Sequence, residues 1–261
     1  MRSFNRGEVM SEMRVISFDL WDTVFIDDSD EPKRRQQGLP PKPIERRDLV
    51  HRFLSRHAPI DRGLVDCAYD TADAAFREVW HHRHYTWPVE TRLRVLLTGL
   101  KRDLPAPELQ ELVRLHEDME LRVRPDLVPG VAEALRVLAE KYPLVVVSDA
   151  IFSPGRALRE LLAGYGIRDL FSGFVFSDEL GCSKPAPAVF QRAADLAGCR
   201  VDEIVHIGDR EHNDVDGARN AGARAVLVTA AIDRGSANTR AHAVCRSFDQ
   251  LPTIIDSLNT R

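Results

Sequence analysis

Apolar positions follow two rhythms along this chain, and the two alternate. Val15, Ile16 and Phe18 form a short buried-strand run broken only by Ser17. Runs of the same kind fall at 144–147, 171–176, 203–207 and 225–229, the last of them read as the final strand. Between these runs, apolar residues recur every three or four positions. Val131, Leu135 and Leu138 share a helical face after Pro129 and Gly130, and 155–164, 186–197 and a stretch around 214–221 also read as helical. Strands alternating with helices of this length predict a doubly wound parallel α/β sheet with helices on both faces.

Residues 44–123 break the alternation. Four helical faces follow one another there, marked by Leu49 and Phe53, by Val65, Tyr69 and Phe76, by Leu93 and Leu97, and by Leu109 and Leu112. The breaks fall at Pro59, Pro88 and Pro105. A small α-helical bundle is therefore expected as an insertion after the first strand. Residues 27–43, charged and rich in Pro and Gly, read as a linker or mobile loop, and residues 1–13 as a loose leader. The expected division is a core of 1–28 and 124–261 with a helical domain at 29–123.

Composition narrows the function. The chain of 261 residues is 44% apolar and 29% charged, with a net charge of −4, so no basic surface for nucleic acid is expected. No apolar run approaches a membrane span, and the N-terminus lacks the apolar core of a secretory signal. The four cysteines are irregularly spaced without a CxxC pair, which suits a reduced cytoplasmic protein better than a disulfide or zinc framework. Monomer and homodimer both stay open.

Candidate chemistry gathers at strand ends. Asp19, Asp22 and Thr23 follow the first strand, Ser148 and Asp149 the second, and Gly208, Asp209 and Asp214 the fourth. Strand ends on one edge of a parallel sheet converge, so the first strand should lie centrally, beside the second and fourth. Carboxylates from two strands make a hard oxygen site suited to Mg²⁺. Ser148 and Lys184 suit phosphoryl oxygens, one by hydrogen bond and one by charge. Asp19 is then placed to attack phosphorus and form an aspartyl-phosphate.

The order Asp-x-x-x-Thr, strand-end Ser, Lys-Pro-x-Pro-x-x-Phe and Gly-Asp-x-x-x-x-Asp resembles the haloacid dehalogenase superfamily over about residues 14–30 and 125–235. The helical insertion resembles that superfamily's C1 cap. The resemblance implies Asp19 as nucleophile and Ser148 and Lys184 as phosphate-binding positions. It implies Asp209 and Asp214 as metal-site acids, the Trp21 carbonyl as a further metal contact, and Thr23 as the residue orienting the turn. Asp149 is expected to orient Lys184 or the Ser148 loop.

One position departs from the superfamily's phosphatases. The general acid expected two residues after the nucleophile is Trp21 here, and an indole cannot protonate a leaving group. Asp22 either substitutes for it or bonds local backbone in the turn. In the insertion, His81, His82, Arg83 and His84 either read the substrate or form a solvated helix end. Lys33, Arg34 and Arg35 either greet an anionic substrate or are simply solvated. The expected activity is Mg²⁺-dependent hydrolysis of a small phosphorylated metabolite. The alternatives are a 2-haloacid dehalogenase and a phosphate-binding regulatory protein with little turnover.

Overall fold

The computed structural model describes residues 12–259. Six strands form one parallel sheet: β1 Val15–Phe18, β2 Leu144–Ser148, β3 Phe171–Phe176, β4 Ile204–Gly208, β5 Arg224–Val228 and β6 Ala243–Cys245. Their order is β3-β2-β1-β4-β5-β6, so β1 lies between β2 and β4. The strand sequence runs outward in both directions from the β1/β4 seam. In open α/β sheets that switch point leaves a crevice at the carboxyl ends of the strands.

Six helices make up the stretch that follows β1: α1 Glu31–Gln36, α2 Lys42–Ser55, α3 Arg62–Arg83, α4 Val89–Gly99, α5 Ala106–Glu117 and α6 Met119–Arg122. After them come α7 Val131–Ala139, α8 Gly155–Gly164, α9 Ser177–Leu180, α10 Pro187–Ala197, α11 Gly217–Ala221 and α12 Leu251–Asn259.

Every residue of β1 is buried, yet its side chains still alternate between two cores. Ile16 and Phe18 join Leu135, Leu158 and Ile255 under α7, α8 and α12. Val15 joins Val189, Phe190 and Ala218 under α10 and α11. Near-continuous apolar strands are what a sheet covered on both faces requires. Helices α2 to α5 pack about a third cluster of their own, including Phe53, Val65, Leu93 and Leu112.

Three local expectations are corrected. Residues 27–43 are not a loose loop: they hold α1 and the start of α2, and several of their charges are paired. Arg34 of α1 is fully buried, and its guanidinium donates to the Pro40 carbonyl at 3.2 and 2.9 Å and pairs with Glu45. Lys33 Nζ donates to the Arg124 carbonyl at 2.7 Å and meets Asp126 Oδ1 at 2.6 Å, tying α1 to the chain's return into the sheet. Second, β5 is not the last strand: the short β6 pairs with it, followed by α12. Third, the helical stretch near 214–221 begins with a wider turn at Glu211–Asp216 before α11. The leader expected at residues 1–13 falls outside the described residues up to residue 11. No described helix is long and apolar enough to cross a membrane.

Candidate active site

The turn after β1 is built around one carbonyl. Leu20 O accepts from the amides of Thr23, Val24 and Phe25 at 3.3, 2.7 and 2.8 Å. Asp22 takes the left-handed conformation this turn needs, with φ 53°, which Asp tolerates better than most residues. Its Oδ1 accepts from the Asp27 amide at 3.0 Å, and its other oxygen pairs with Arg234. Asp19 N donates to Ile207 O at 2.8 Å, which pins the start of the turn to β4.

Around Asp19, strand ends and helix starts bring together four more charged groups. Lys184 Nζ lies 2.7 Å from Asp19 Oδ1 and 2.6 Å from Asp214 Oδ1. Its amide donates to Asp149 Oδ1 at 3.0 Å. Burial works against the lysine's charge, but Asp19, Asp214 and Asp149 outweigh it and hold the ammonium above its usual range. Burial raises Asp214 in turn, and Lys184 and His206 more than reverse this, so its carboxyl sits below the usual range. Burial pushes Asp149 up to about 7, opposed by Lys184 and reinforced by Asp19.

His206 extends this network. It is fully buried on β4, with Nε2 3.1 Å from Asp214 Oδ1 and Nδ1 2.9 Å from Ser17 Oγ. Asp214 is ionised and only accepts, so the consistent tautomer carries its proton on Nε2 and accepts from Ser17. Gly208 is required by close approach: a Cβ there would lie 2.2 Å from Asp214 Cγ.

Asp19, Asp209 and Asp214 each offer a carboxylate oxygen within 4.8 Å of the others, and all three are buried. Asp209 Oδ2 accepts from Arg234 Nε at 2.8 Å, whereas Oδ1 is buried without a partner. Burial, then Asp214 and Asp19, push Asp209 up to about 7. An unpartnered oxygen in a trio of hard donors suits a small divalent cation. Thr23 Oγ1 and Ser148 Oγ are likewise buried without partners.

A cavity of about 320 Å³ opens onto this cluster. Asp19, Asp149, Lys184 and Asp214 line its sheet end, with Trp21 and Asn213 alongside. Asn213 Nδ2 donates to Asp149 Oδ2 at 3.2 Å. Trp21 packs against Phe25, with ring centroids 5.8 Å apart. The opposite end is lined by Lys42, Arg46, Trp80 and Glu120 from the helical block and by Phe152 and Ser153.

His81, His82, Arg83 and His84 do not line this cavity, which favours the solvated helix end of the two readings. His81 lies on a separate open depression with Arg47, Asp70 and Arg77, and His82 faces Glu78 at 3.5 Å. His81, His82 and Arg83 are exposed. His84 closes α3 in a left-handed conformation, and its carbonyl accepts from the Ser183 amide at 2.8 Å. The neighbouring Trp80 reaches the cavity instead.

The sequence reading missed Lys42, Arg46, Glu120 and Arg234. A signal for Arg46 was present. It precedes Leu49 by three residues and Val50 by four, which places a charge on the apolar face of α2. Lys42 sits one turn earlier on the same face.

Fold and site together define a hydrolase class: a doubly wound sheet whose switch point carries a carboxylate, a lysine and an acidic trio above an inserted helical block. The profile of the haloacid dehalogenase-like hydrolases matches residues 13–222, and the chain belongs to that family. The phosphoserine phosphatase of Thermus thermophilus is 32% identical over 85% of this chain and 90% of its own length. The glyceraldehyde 3-phosphate phosphatase of Methanopyrus kandleri is 34% identical, over 44% of this chain and 45% of that protein. Among solved structures, a 2-haloacid dehalogenase from Pseudomonas syringae superposes with TM-score 0.66 at 22% identity, over 94% of this chain and 99% of its own. A HAD phosphatase from Thermococcus onnurineus gives TM-score 0.63 at 22% identity, over 93% of this chain and 98% of that chain.

Proposed function

We propose that this protein is a Mg²⁺-dependent phosphohydrolase that cleaves a small phosphorylated metabolite through an aspartyl-phosphate on Asp19. The observation that carries this reading is the buried Asp19 carboxylate, held by Lys184 beside Asp209 and Asp214, at the end of a metabolite-sized cavity. The phosphatase names of the curated relatives support the same reaction. The donor set fits a metal, since Asp209 Oδ1 is a buried oxygen with no other partner. Mg²⁺ held by Asp19, Asp209, Asp214 and the Trp21 carbonyl would supply charge neutralisation for the phosphoryl oxygens.

The protein's own groups then divide the work. Asp19 attacks phosphorus, and the leaving oxygen departs with the bonding electron pair. Lys184 neutralises a phosphoryl oxygen, Ser148 donates a hydrogen bond to another, and Asp149 fixes the Lys184 backbone. Water then cleaves the acyl phosphate, releasing phosphate and restoring Asp19. Trp21 supplies no proton, so the departing oxygen leaves with little help. Asp22 already serves Asp27 and Arg234, which favours a turn role. Residues 29–123 act as the cap that closes the cavity and excludes water.

The test is phosphate release from a panel of phosphorylated metabolites, with Mg²⁺ and with excess chelator. Mg²⁺-dependent release from at least one ester is expected. Metal-independent halide release from a 2-haloacid, with no phosphate release, would overturn the reading.

A further inference from the structure

Two donors at the helical end of the cavity have no acceptor. Arg46 of α2 is 6% exposed, and its Nε is buried without a partner. Its Nη2 lies 3.7 Å from Glu120 Oε1, beyond hydrogen-bond reach. Trp80 Nε1 of α3 is also buried without a partner. Both side chains line the cavity that holds Asp19. A buried guanidinium left short of acceptors is costly, so the site is built to receive one.

Of the neighbouring charges, Lys42, Asp28, Asp30 and Glu120 are committed to one another, while Asp27 Oδ1 accepts from the Asp28 amide. Lys42 Nζ takes Asp30 at 2.7 Å, Asp28 at 3.2 Å and Glu120 at 3.3 Å. Glu120 Oε2 also accepts from Ser153 Oγ at 2.6 Å. Glu120 is thus drawn towards Lys42 and Ser153, leaving Arg46 under-paired. The Arg46 guanidinium is nonetheless held in place, with Cζ 3.4 Å from the Phe152 ring centroid. Arg92 Cζ lies 4.0 Å from the same centroid, and only opposite ring faces accommodate both cations. Ordered donors without acceptors are what a binding subsite provides before its ligand arrives.

We propose that Arg46 and Trp80 bind a carboxylate at the far end of the substrate from its phosphate, so that the preferred substrates are small phosphorylated carboxylic acids. This rests on the phosphohydrolase reading above. A guanidinium fork matches a carboxylate in two parallel hydrogen bonds, and the indole N–H adds a third donor. With the phosphate at Lys184, a cavity of about 320 Å³ leaves room for a few carbon atoms between the two ends.

The test compares 3-phosphoglycerate with glycerol 3-phosphate, which differ only in a carboxylate against a hydroxymethyl group. The wild type is expected to favour the carboxylate by about tenfold or more in kcat/KM, the usual range for a charged hydrogen bond. Arg46→Met should erase that ratio, Arg46→Lys should keep part of it, and Trp80→Phe should lower it while keeping a ring. Equal turnover of the two by the wild type, or a preference retained in Arg46→Met, would overturn the proposal. So would a preference for phosphoethanolamine, because Glu120 and Asp28 would then rule the pocket. p-Nitrophenyl phosphate, which has no carboxylate, reports the phosphohydrolase reading alone. Should it and the metabolites all resist cleavage, that reading fails, while calorimetric binding of the matched pair still decides the subsite.

Discussion

Two clusters of charge line the same cavity, and they differ in which groups are left without partners. At the sheet end, Asp19, Asp149, Asp209 and Asp214 share Lys184 and Arg234, and two of these acids are pushed up to about 7. At the helical end, Lys42 and Arg46 meet Asp28, Asp30 and Glu120, and the unpaired atoms include Asp30 Oδ2 beside the donor nitrogens Arg46 Nε and Trp80 Nε1. The first cluster has surplus acceptors and calls for a cation. In the second, Arg46 and Trp80 are donors without an acceptor. A substrate lying between them would bring a phosphate to one end and an acceptor to the other.

The largest effect should come from breaking the sheet end. Asp19→Asn should lower phosphate release by about a thousandfold or more, since covalent attack needs the carboxylate. The thermal midpoint should change little, because the amide can still accept from Lys184. Near-native turnover would reduce Asp19 to a turn residue.

Next is Trp21. Without a general acid, worth about a hundred- to ten-thousand-fold, the rate should depend steeply on leaving-group pKa. Aryl and acyl phosphates should be cleaved much faster than alkyl phosphates. Trp21→Asp should raise alkyl turnover more than aryl and flatten the slope. A shallow wild-type slope that steepens in Asp22→Asn would make Asp22 the acid after all.

A smaller effect tests how the two ends are joined. Arg92 donates to Ile151 O at 2.9 Å and pairs with Asp73 at 2.5 Å, so it fastens the helical block to the loop after β2. Arg92→Met should cost about 1–3 kcal/mol, or roughly 2–4 °C of thermal midpoint per kcal/mol in a chain of this size. It should also raise KM more than it lowers kcat. An unchanged midpoint and KM would mean that the two ends are positioned independently.

The smallest effect is a pH dependence confined to the helical block. His116 is buried, donates from Nδ1 to Leu112 O at 2.8 Å, and burial pulls it down to about 3. The unfolded chain takes up this proton near the ordinary histidine value of 6.5, and the folded chain does not. Its contribution is therefore complete above pH about 6.5 and is lost as pH falls towards 3. The stability of wild type relative to His116→Leu should shrink over that window. A constant difference would place the protonated ring within the fold.

The contrast also explains what was legible in the sequence. A strand followed by a tight turn fixes spacing, so Asp19, Ser148, Asp209 and Asp214 stood out as short motifs at run ends. The alternating runs gave the parallel sheet and the central place of β1. The helical end has no such grammar. Arg46, Trp80 and Glu120 come from separate helices, and helical spacing gives a face without saying which helix it meets. Charge-rich 27–43 read as loop because composition does not reveal that Arg34 and Lys42 are buried with their partners. The basic run His81 to His84 stood out, but helical spacing did not show that the neighbouring Trp80 reaches the cavity in its place.

A carboxylate oxygen of Asp19 is the group proposed to take the phosphoryl group. Rapid mixing with p-nitrophenyl phosphate and Mg²⁺, followed by borohydride, reduces an aspartyl-phosphate to homoserine. With no base at Trp21 to activate water, the intermediate should build up, and peptide mass spectrometry should find homoserine at position 19 only when both substrate and Mg²⁺ are present. Steady phosphate release with Asp19 unreduced would contradict it.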